Sequence, residues 1–435
     1  MQNQSFRGRT PKRDLLAKID ITPLTSARKP KLFYGYIVVA ASFFAMVIIH
    51  GIVNTNGVFF NPLLDYFQTS RAAISAASSI SFFVMGFAAI LMGILGDRFG
   101  PRIVLSIGTA IFGLGYILLS QVTSLWQLYL VFIIIGIGFS PSDVVPLSVV
   151  VRWFVKRRGA MSGITKVGTG LGMTVIPVVA SVLIARYEWR TAVVILGVLV
   201  LVTAIPLAQL LKRDPREMGL LPDGETQSNT NGTAPSEAGL SFRQAIRTRQ
   251  LWLVCGFYAT LLFCAQSVMI HVVPYAVDLG VSQTIAASLI AVVGGSSIIG
   301  RLVMGFSSDK IGRKRGILIC FLILVTALSW LQVARELWML YVFAAIYGFN
   351  HGGFFAQISP LIAWLFGTRS QGTLLGVVIF SGTFFGGLSP IFTGWIFDVT
   401  GSYRLAFFIL LSVAIVGLIL ISLLKPISQE VRNEP

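Results

Sequence analysis

Three ionisable side chains in this chain lie within long apolar runs: the cations Lys166 and Arg301 and the carboxylate Asp143. A charge placed in hydrocarbon costs several kcal/mol unless it is paired or faces a polar cavity, so each of the three marks a place where an ion is handled. A guanidinium suits carboxylate binding because its planar fork donates two parallel hydrogen bonds. A buried carboxylate can take up and release a proton, an imidazole is the side chain suited by type to proton handling, and His50, His271 and His351 also lie in apolar runs. No nucleophilic triad is present. Gly168-Thr169-Gly170-Leu171-Gly172 follows no strand and the chain has no Walker lysine motif, so it is not a nucleotide loop. Cys255, Cys264 and Cys320 lack metal-ligand spacing. The chemistry within reach is anion binding with proton handling, and neither an enzyme, a metal, a cofactor nor a nucleic-acid partner is expected.

The elements that hold these residues follow from composition. Hydrophobic residues make up 55% of 435 positions and charged ones 12%, against roughly 25% charged in a soluble protein. A bilayer resolves that excess, because lipid-facing helices need no further burial. Twelve apolar segments are long enough to cross: 33–60, 71–95, 101–121, 125–150, 159–185, 189–211, 251–278, 283–306, 315–333, 337–363, 371–396 and 403–425. Of 34 Lys and Arg, 27 fall in tails, loops and span ends on one side, five on the other, and the remaining two, Lys166 and Arg301, lie deep inside spans. Positive charge stays cytoplasmic, so both termini are expected there and the net +17 reports topology. Residues 1–32 read as a basic cytoplasmic tail and not a cleaved signal, 33–211 as one six-helix bundle, 212–250 as a cytoplasmic linker, 251–425 as a second bundle and 426–435 as a tail. Arg301 is eight residues before Asp309, Asp143 nine before Arg152 and Lys166 eight after Arg158. All three therefore sit about 12 Å from the cytoplasmic helix ends, near the midplane.

Shifting the chain by 212 residues superposes Gly93, Asp97, Gly100 and Arg102 on Gly305, Asp309, Gly312 and Lys314, and Leu125-Trp126, Gly136 and Phe154 on Leu337-Trp338, Gly348 and Phe366. A constant offset across several spans is a duplicated six-helix unit, the arrangement of an alternating-access carrier with its site between halves.

The stretch from Gly93 through Asp97, Arg98 and Gly100 to Arg102 resembles the signature loop after the second helix of the major facilitator superfamily, and Gly305 to Arg315 resembles its second-half copy. The resemblance implies an all-α membrane protein with twelve transmembrane helices in two pseudo-symmetric six-helix bundles. It also implies a conformational latch made by Gly93, Asp97, Arg98, Gly100, Arg102, Asp309, Gly312 and Arg313, in which the aspartates cap helix ends and the arginines pair with them. Tyr34-Gly35-Tyr36, Arg152 to Gly163 and Arg213 to Gly224 are similar to the monocarboxylate transporter family and its bacterial oxalate:formate antiporter relatives. In that family an arginine at the place of Arg301 binds the substrate carboxylate, and a histidine at the place of His271, before Val272 to Gly280, lines the route. Two departures stand out: Asn54 occupies the place of a lysine and Ser297 the place of an aspartate in animal members, and the eleventh span lacks the lysine of oxalate transporters.

The expected function is thus secondary active transport of small organic monocarboxylates of the lactate or pyruvate type, with a proton, by a monomer in the cell inner membrane. Substrate would meet Arg301, Lys166, Ser297, Asn54, His351 and Asn350, and His271 and Asp143 would handle the proton. Asp143 and Lys166, at equal depth on neighbouring helices, form either a structural pair or part of the cavity. Arg301 as a structural arginine on backbone carbonyls and His271 as a hydrogen-bonded packing residue are the plainer alternatives. An organic-anion or dicarboxylate exchanger is the rival within transport. A non-transporting receptor would need a sensory domain, which the short tails and loop 212–250 do not supply.

Overall fold

The computed structural model describes residues 33–224 and 239–427. Among them the chain is helical almost throughout, with one isolated β-bridge between Gly239 and Gly367. The helices are α1 (Tyr34–Val53), α2 (Asn56–Phe67), α3 (Arg71–Phe99), α4 (Pro101–Leu119), α5 (Leu125–Phe139), α6 (Pro141–Trp153), α7 (Arg158–Gln209), α8 (Phe242–Ala245), α9 (Arg249–Asp278), α10 (Gln283–Ile311), α11 (Arg313–Val333), α12 (Leu337–Phe366), α13 (Gln371–Thr400) and α14 (Tyr403–Ser422).

Ten helical segments are long and apolar enough to cross a membrane. One of them, the 52-residue α7, would be about 78 Å long, more than twice the hydrocarbon thickness. It turns back at Glu188, whose φ of 69° is not helical, and so supplies two crossings, 158–187 and 189–209. Helix α12 is also long enough at 30 residues, but Asn350, His351 and Gln357 dilute the apolar character of its middle. With these two added, the described helices offer twelve segments of crossing length. Two predicted spans are interrupted: the first at Asn54–Thr55, between α1 and α2, and the fourth at Ser140, between α5 and α6. Pro141 explains the second interruption, because a proline lacks the N–H for the helix ladder and its ring crowds the preceding turn.

Buried apolar side chains form two clusters. One runs from Val38 to Leu211. The other runs from Leu240 to Ile427 and takes in only Met46, Ala89, Val144 and Leu147 from the first half. Each bundle therefore has its own core, and the seam between them is made chiefly by α3 against α13 and α7 against α10, with α6 and α7 also meeting α12. Outward-facing side chains such as Val178, Val202 and Ile391 stay largely exposed, as a lipid-facing surface requires.

The linker is held at both described ends. Trp153 Nε1 donates to Lys212 O at 2.8 Å, and the Asp223 carboxylate accepts from the amides of Val155 and Lys156, each at 2.9 Å. On the other side, Leu240 N donates to Phe366 O at 2.8 Å. The two anchors are the loops that precede α7 and α13, and the end of the molecule that carries them is called the linker face below.

Candidate functional site

The kink at Ser140 puts Asp143 in the first turn of α6, where unsatisfied backbone amides favour a negative charge. Its Oδ1 accepts from Lys166 Nζ of α7 at 2.5 Å. The same oxygen lies 3.2 Å from His50 Nε2 of α1, close enough to pair but off the line of a hydrogen bond. Lys166 and His50 are almost fully enclosed, at 6% and 7% side-chain exposure, whereas the carboxylate between them keeps 31%. An open path thus reaches the carboxylate and not the two groups behind it. The predicted Asp143–Lys166 pair is present, and it faces accessible space.

The second half meets this cluster through α12. Tyr347, His351 and Phe355, one turn apart, form a stripe in which the His351 ring lies 6.0 Å from Tyr347 and 4.9 Å from Phe355. Lys166 Nζ stands 5.7 Å over the Phe355 ring, so one aromatic side chain joins the halves at the level of the ion pair. Arg301 of α10 is 3% exposed. Its guanidinium lies against Gly170 of α7, where a methyl group would collide with Nη1. The charges of Arg301 and Lys166 both reach His351, and that of Asp143 reaches Arg301.

Several buried polar atoms here have no hydrogen-bond partner among the described residues: Arg301 Nε and Nη1, Ser297 Oγ, Asn350 Oδ1, His351 Nδ1 and both ring nitrogens of His50. Buried polar groups are nearly always paired, so a set left open on neighbouring helices needs partners that the described residues do not supply, water or a bound ligand. Two cations against one carboxylate leave a single positive charge.

Two expected site residues lie elsewhere. Asn54 is at the break after α1, where its amide Nδ2 donates to His50 O at 2.8 Å. His271 of α9 is engaged by Tyr403 Oη at 3.2 Å and Pro390 O at 3.0 Å, on α14 and α13, and is not part of the Asp143 cluster. Sequence reasoning underrated His50 and missed Phe355 and Tyr258. Tyr258 of α9 packs 6.4 Å from Phe355 and within reach of the Asp143 charge. Nothing in linear spacing connects residue 50 to residue 143; only the four-residue rhythm of Tyr347, His351 and Phe355 was readable beforehand.

At the linker face the two halves are tied by a pseudo-symmetric pair of carboxylates. Asp97, at the end of α3, accepts from the amides of Gly372 (3.1 Å) and Thr373 (2.8 Å) and from the Thr373 hydroxyl (2.9 Å), and so caps α13 of the other half. Asp309, at the end of α10, accepts from the amides of Gly159 and Ala160, each at 2.8 Å, and caps α7. Glycines allow this approach: a methyl at Gly93 would strike the Gly372 carbonyl, and one at Gly159 would strike Ser308. Gly100 and Gly312, at φ 89° and 97°, end α3 and α10 just beyond the aspartates. Arg313 pairs with Asp309. Asp97 takes its cation from Arg152 Nη2 of α6 at 2.7 Å, and not from Arg98 or Arg102. Those two arginines line an outer groove instead: Arg98 follows Asp97 in α3 and so points about 100° away from it, and Arg102 lies in α4 beyond the turn at Gly100.

Comparison with known proteins agrees with this architecture. The chain is 27% identical over 411 residues to monocarboxylate transporter 12 of Rattus norvegicus, covering 89% of this chain and 84% of that protein. Among solved structures it is similar in fold to the human organic anion transporter MFSD10, with a TM-score of 0.69 at 16% identity over 89% of this chain and 99% of the other. It is likewise similar to the E. coli fucose:proton symporter FucP, with a TM-score of 0.70 at 14% identity over 91% and 100%. The family model described as Major Facilitator Superfamily matches residues 32–306 and 262–435, nearly the whole described molecule with its paired bundles and paired aspartate caps, and the chain belongs to that superfamily.

Proposed function

We propose that this multi-pass membrane protein is a secondary active carrier that moves a small organic monocarboxylate, of the lactate or pyruvate type, together with a proton by alternating access. The observation that carries this reading is Arg301, enclosed between the halves with Nε and Nη1 unpartnered, in a site with one positive charge in excess. A monocarboxylate supplies the two acceptor oxygens that a guanidinium fork needs, and bound together with a proton on Asp143 it leaves the net charge of the site the same empty and loaded. Similarity to a protein named a monocarboxylate transporter supports the same class.

Asp143 is the favoured proton carrier, because it is reachable and already poised between Lys166 and His50. Protonating it releases Lys166 toward the arriving anion, and anion departure restores the pair. The aspartate caps then act as the latch: with both made, the linker face is shut and the site opens to the opposite face. We read the linker face as cytoplasmic and the membrane as the cell inner membrane, on the Lys and Arg count. A cysteine at Thr226, which lies outside the described residues, should then be labelled only from the cytoplasm; labelling in intact cells by an impermeant reagent overturns the orientation.

A dicarboxylate exchanger remains the second reading, since Lys166 offers another cation. It requires Asp143 to yield that cation to substrate without taking a proton. Uptake of radiolabelled mono- and dicarboxylates into proteoliposomes, with and without internal anion and with an imposed pH gradient, separates the two. Monocarboxylate uptake driven by a pH gradient into anion-free vesicles is the expected result, and strict dependence on internal anion refutes it.

A further inference from the structure

The groove that holds Arg98 and Arg102 lies at the linker-face end of α3 and α4, away from the seam between the halves, and is lined also by Phe99, Ile103, Arg213 and Glu217. Three arginines against one glutamate make it basic. Among the described residues neither Arg98 nor Arg102 has a hydrogen bond or ion pair; Arg98 stacks only over its neighbour Phe99, at 5.2 Å.

The duplicated half shows what such cations do when the protein itself employs them. There, Lys314, the counterpart of Arg102, donates to Ser422 O at 2.8 Å and caps the end of α14. At Arg102 the first half has kept the charge and not the partner.

Below the groove, Ile103, Ile107, Leu114 and Leu118 are each about half exposed. At 100° per residue these four positions fall within about 60° of one another, so they form one apolar strip that descends α4 from the groove. The 19 residues of α4 span about 28 Å, close to the hydrocarbon thickness, which sets the groove at headgroup depth. A basic pocket at headgroup level that continues into an apolar strip matches a molecule with a phosphate at one end and acyl chains at the other.

We infer that this groove is a binding site for an anionic glycerophospholipid, with the headgroup phosphate on Arg98 and Arg102 and an acyl chain along the α4 strip. Each cation near an anionic headgroup contributes about five-fold in affinity, so losing both weakens binding about thirty-fold.

Native mass spectrometry of the purified full-length protein, titrated with phosphatidylglycerol or phosphatidylcholine of matched chains, tests this. Expected is a preference of at least about ten-fold for phosphatidylglycerol, lost in Arg98→Gln/Arg102→Gln and kept in the charge-matched Lys310→Gln/Arg315→Gln. Arg102→Gln alone should lose about five-fold, which preserves the test if the double variant is unstable. Phosphatidylglycerol bound by the Arg98/Arg102 variant as by wild type, or no preference over phosphatidylcholine, overturns the site. Complete displacement by low-millimolar inorganic phosphate also overturns it, by showing that the occupant is free phosphate.

Discussion

Replacing Arg301 with alanine separates a substrate-binding arginine from a structural one, because the two roles move ligand-free stability in opposite directions. The side chain is 3% exposed and leaves Nε and Nη1 without partners among the described residues. Each unsatisfied buried donor costs about 1–3 kcal/mol, and more when charged. Truncation removes that burden while opening a void that costs a few kcal/mol, so the two terms offset and the ligand-free melting temperature should hold or rise. Binding behaves differently. A carboxylate on the guanidinium fork makes charge-assisted hydrogen bonds of about 1.5–3 kcal/mol each, and losing even one lowers affinity about ten- to hundred-fold. At a ligand concentration a hundred times the dissociation constant, wild type gains about 2.7 kcal/mol of stability, which Arg301→Ala should forfeit. Arg301→Lys keeps the charge but not the fork and should recover little. The assay is a thermal melt of purified protein with and without lactate, paired with proteoliposome uptake. A lowered ligand-free melting temperature with an undiminished lactate shift and normal uptake would falsify the reasoning, since Arg301 would then hold the fold and not the substrate.

Asp143→Asn leaves Lys166 without its 2.5 Å partner and should abolish uptake driven by a pH gradient while substrate binding persists; undiminished proton-driven uptake clears Asp143 of the coupling role. Breaking the pair should also lower stability, toward the low side of the ~3–5 kcal/mol typical of buried pairs because the carboxylate is partly exposed, and Asp143→Leu/Lys166→Met should recover most of that loss. His50→Gln should change the pH dependence of uptake, whereas His271→Gln should cost about 1 kcal/mol of stability for its lost hydrogen bonds and leave that dependence alone; the reverse pattern returns the proton to His271. Asp97→Asn weakens the cap on α13 and should open the linker face. A cysteine replacing Ser359, buried in the seam with its Oγ donating to Leu147 O at 3.1 Å, should then label at least ten-fold faster with a thiol reagent, against a background kept low by three buried native cysteines. Unchanged labelling would deny Asp97 a part in the latch.

Much of the architecture was legible because hydrophobicity and charge act locally along the chain. Spans are runs of consecutive apolar residues, the Lys and Arg bias marks their ends, and the 212-residue repeat records the duplication without reference to contacts. Position along the helices was equally legible: a rise of about 1.5 Å per residue placed Asp143, Lys166 and Arg301 at one level before any helix was packed, which permitted the Asp143–Lys166 pair without deciding it. Rotation and partnership were not legible. Arg98 and Arg102 resembled latch arginines by position in a motif, yet both line an outer groove and Arg152, 55 residues from Asp97, takes their place. His50 and His271 look alike as single histidines in apolar runs. Which helix face each occupies, and so whether it meets Asp143 or the Pro390 carbonyl, depends on how α1, α6 and α7, or α9, α13 and α14, pack. The sequence by itself determined where the apolar spans run and how far along its helix each charge lies, since both accumulate residue by residue. Only the tertiary structure decided which charges meet, because pairing is set by side-chain packing between helices that are distant in sequence.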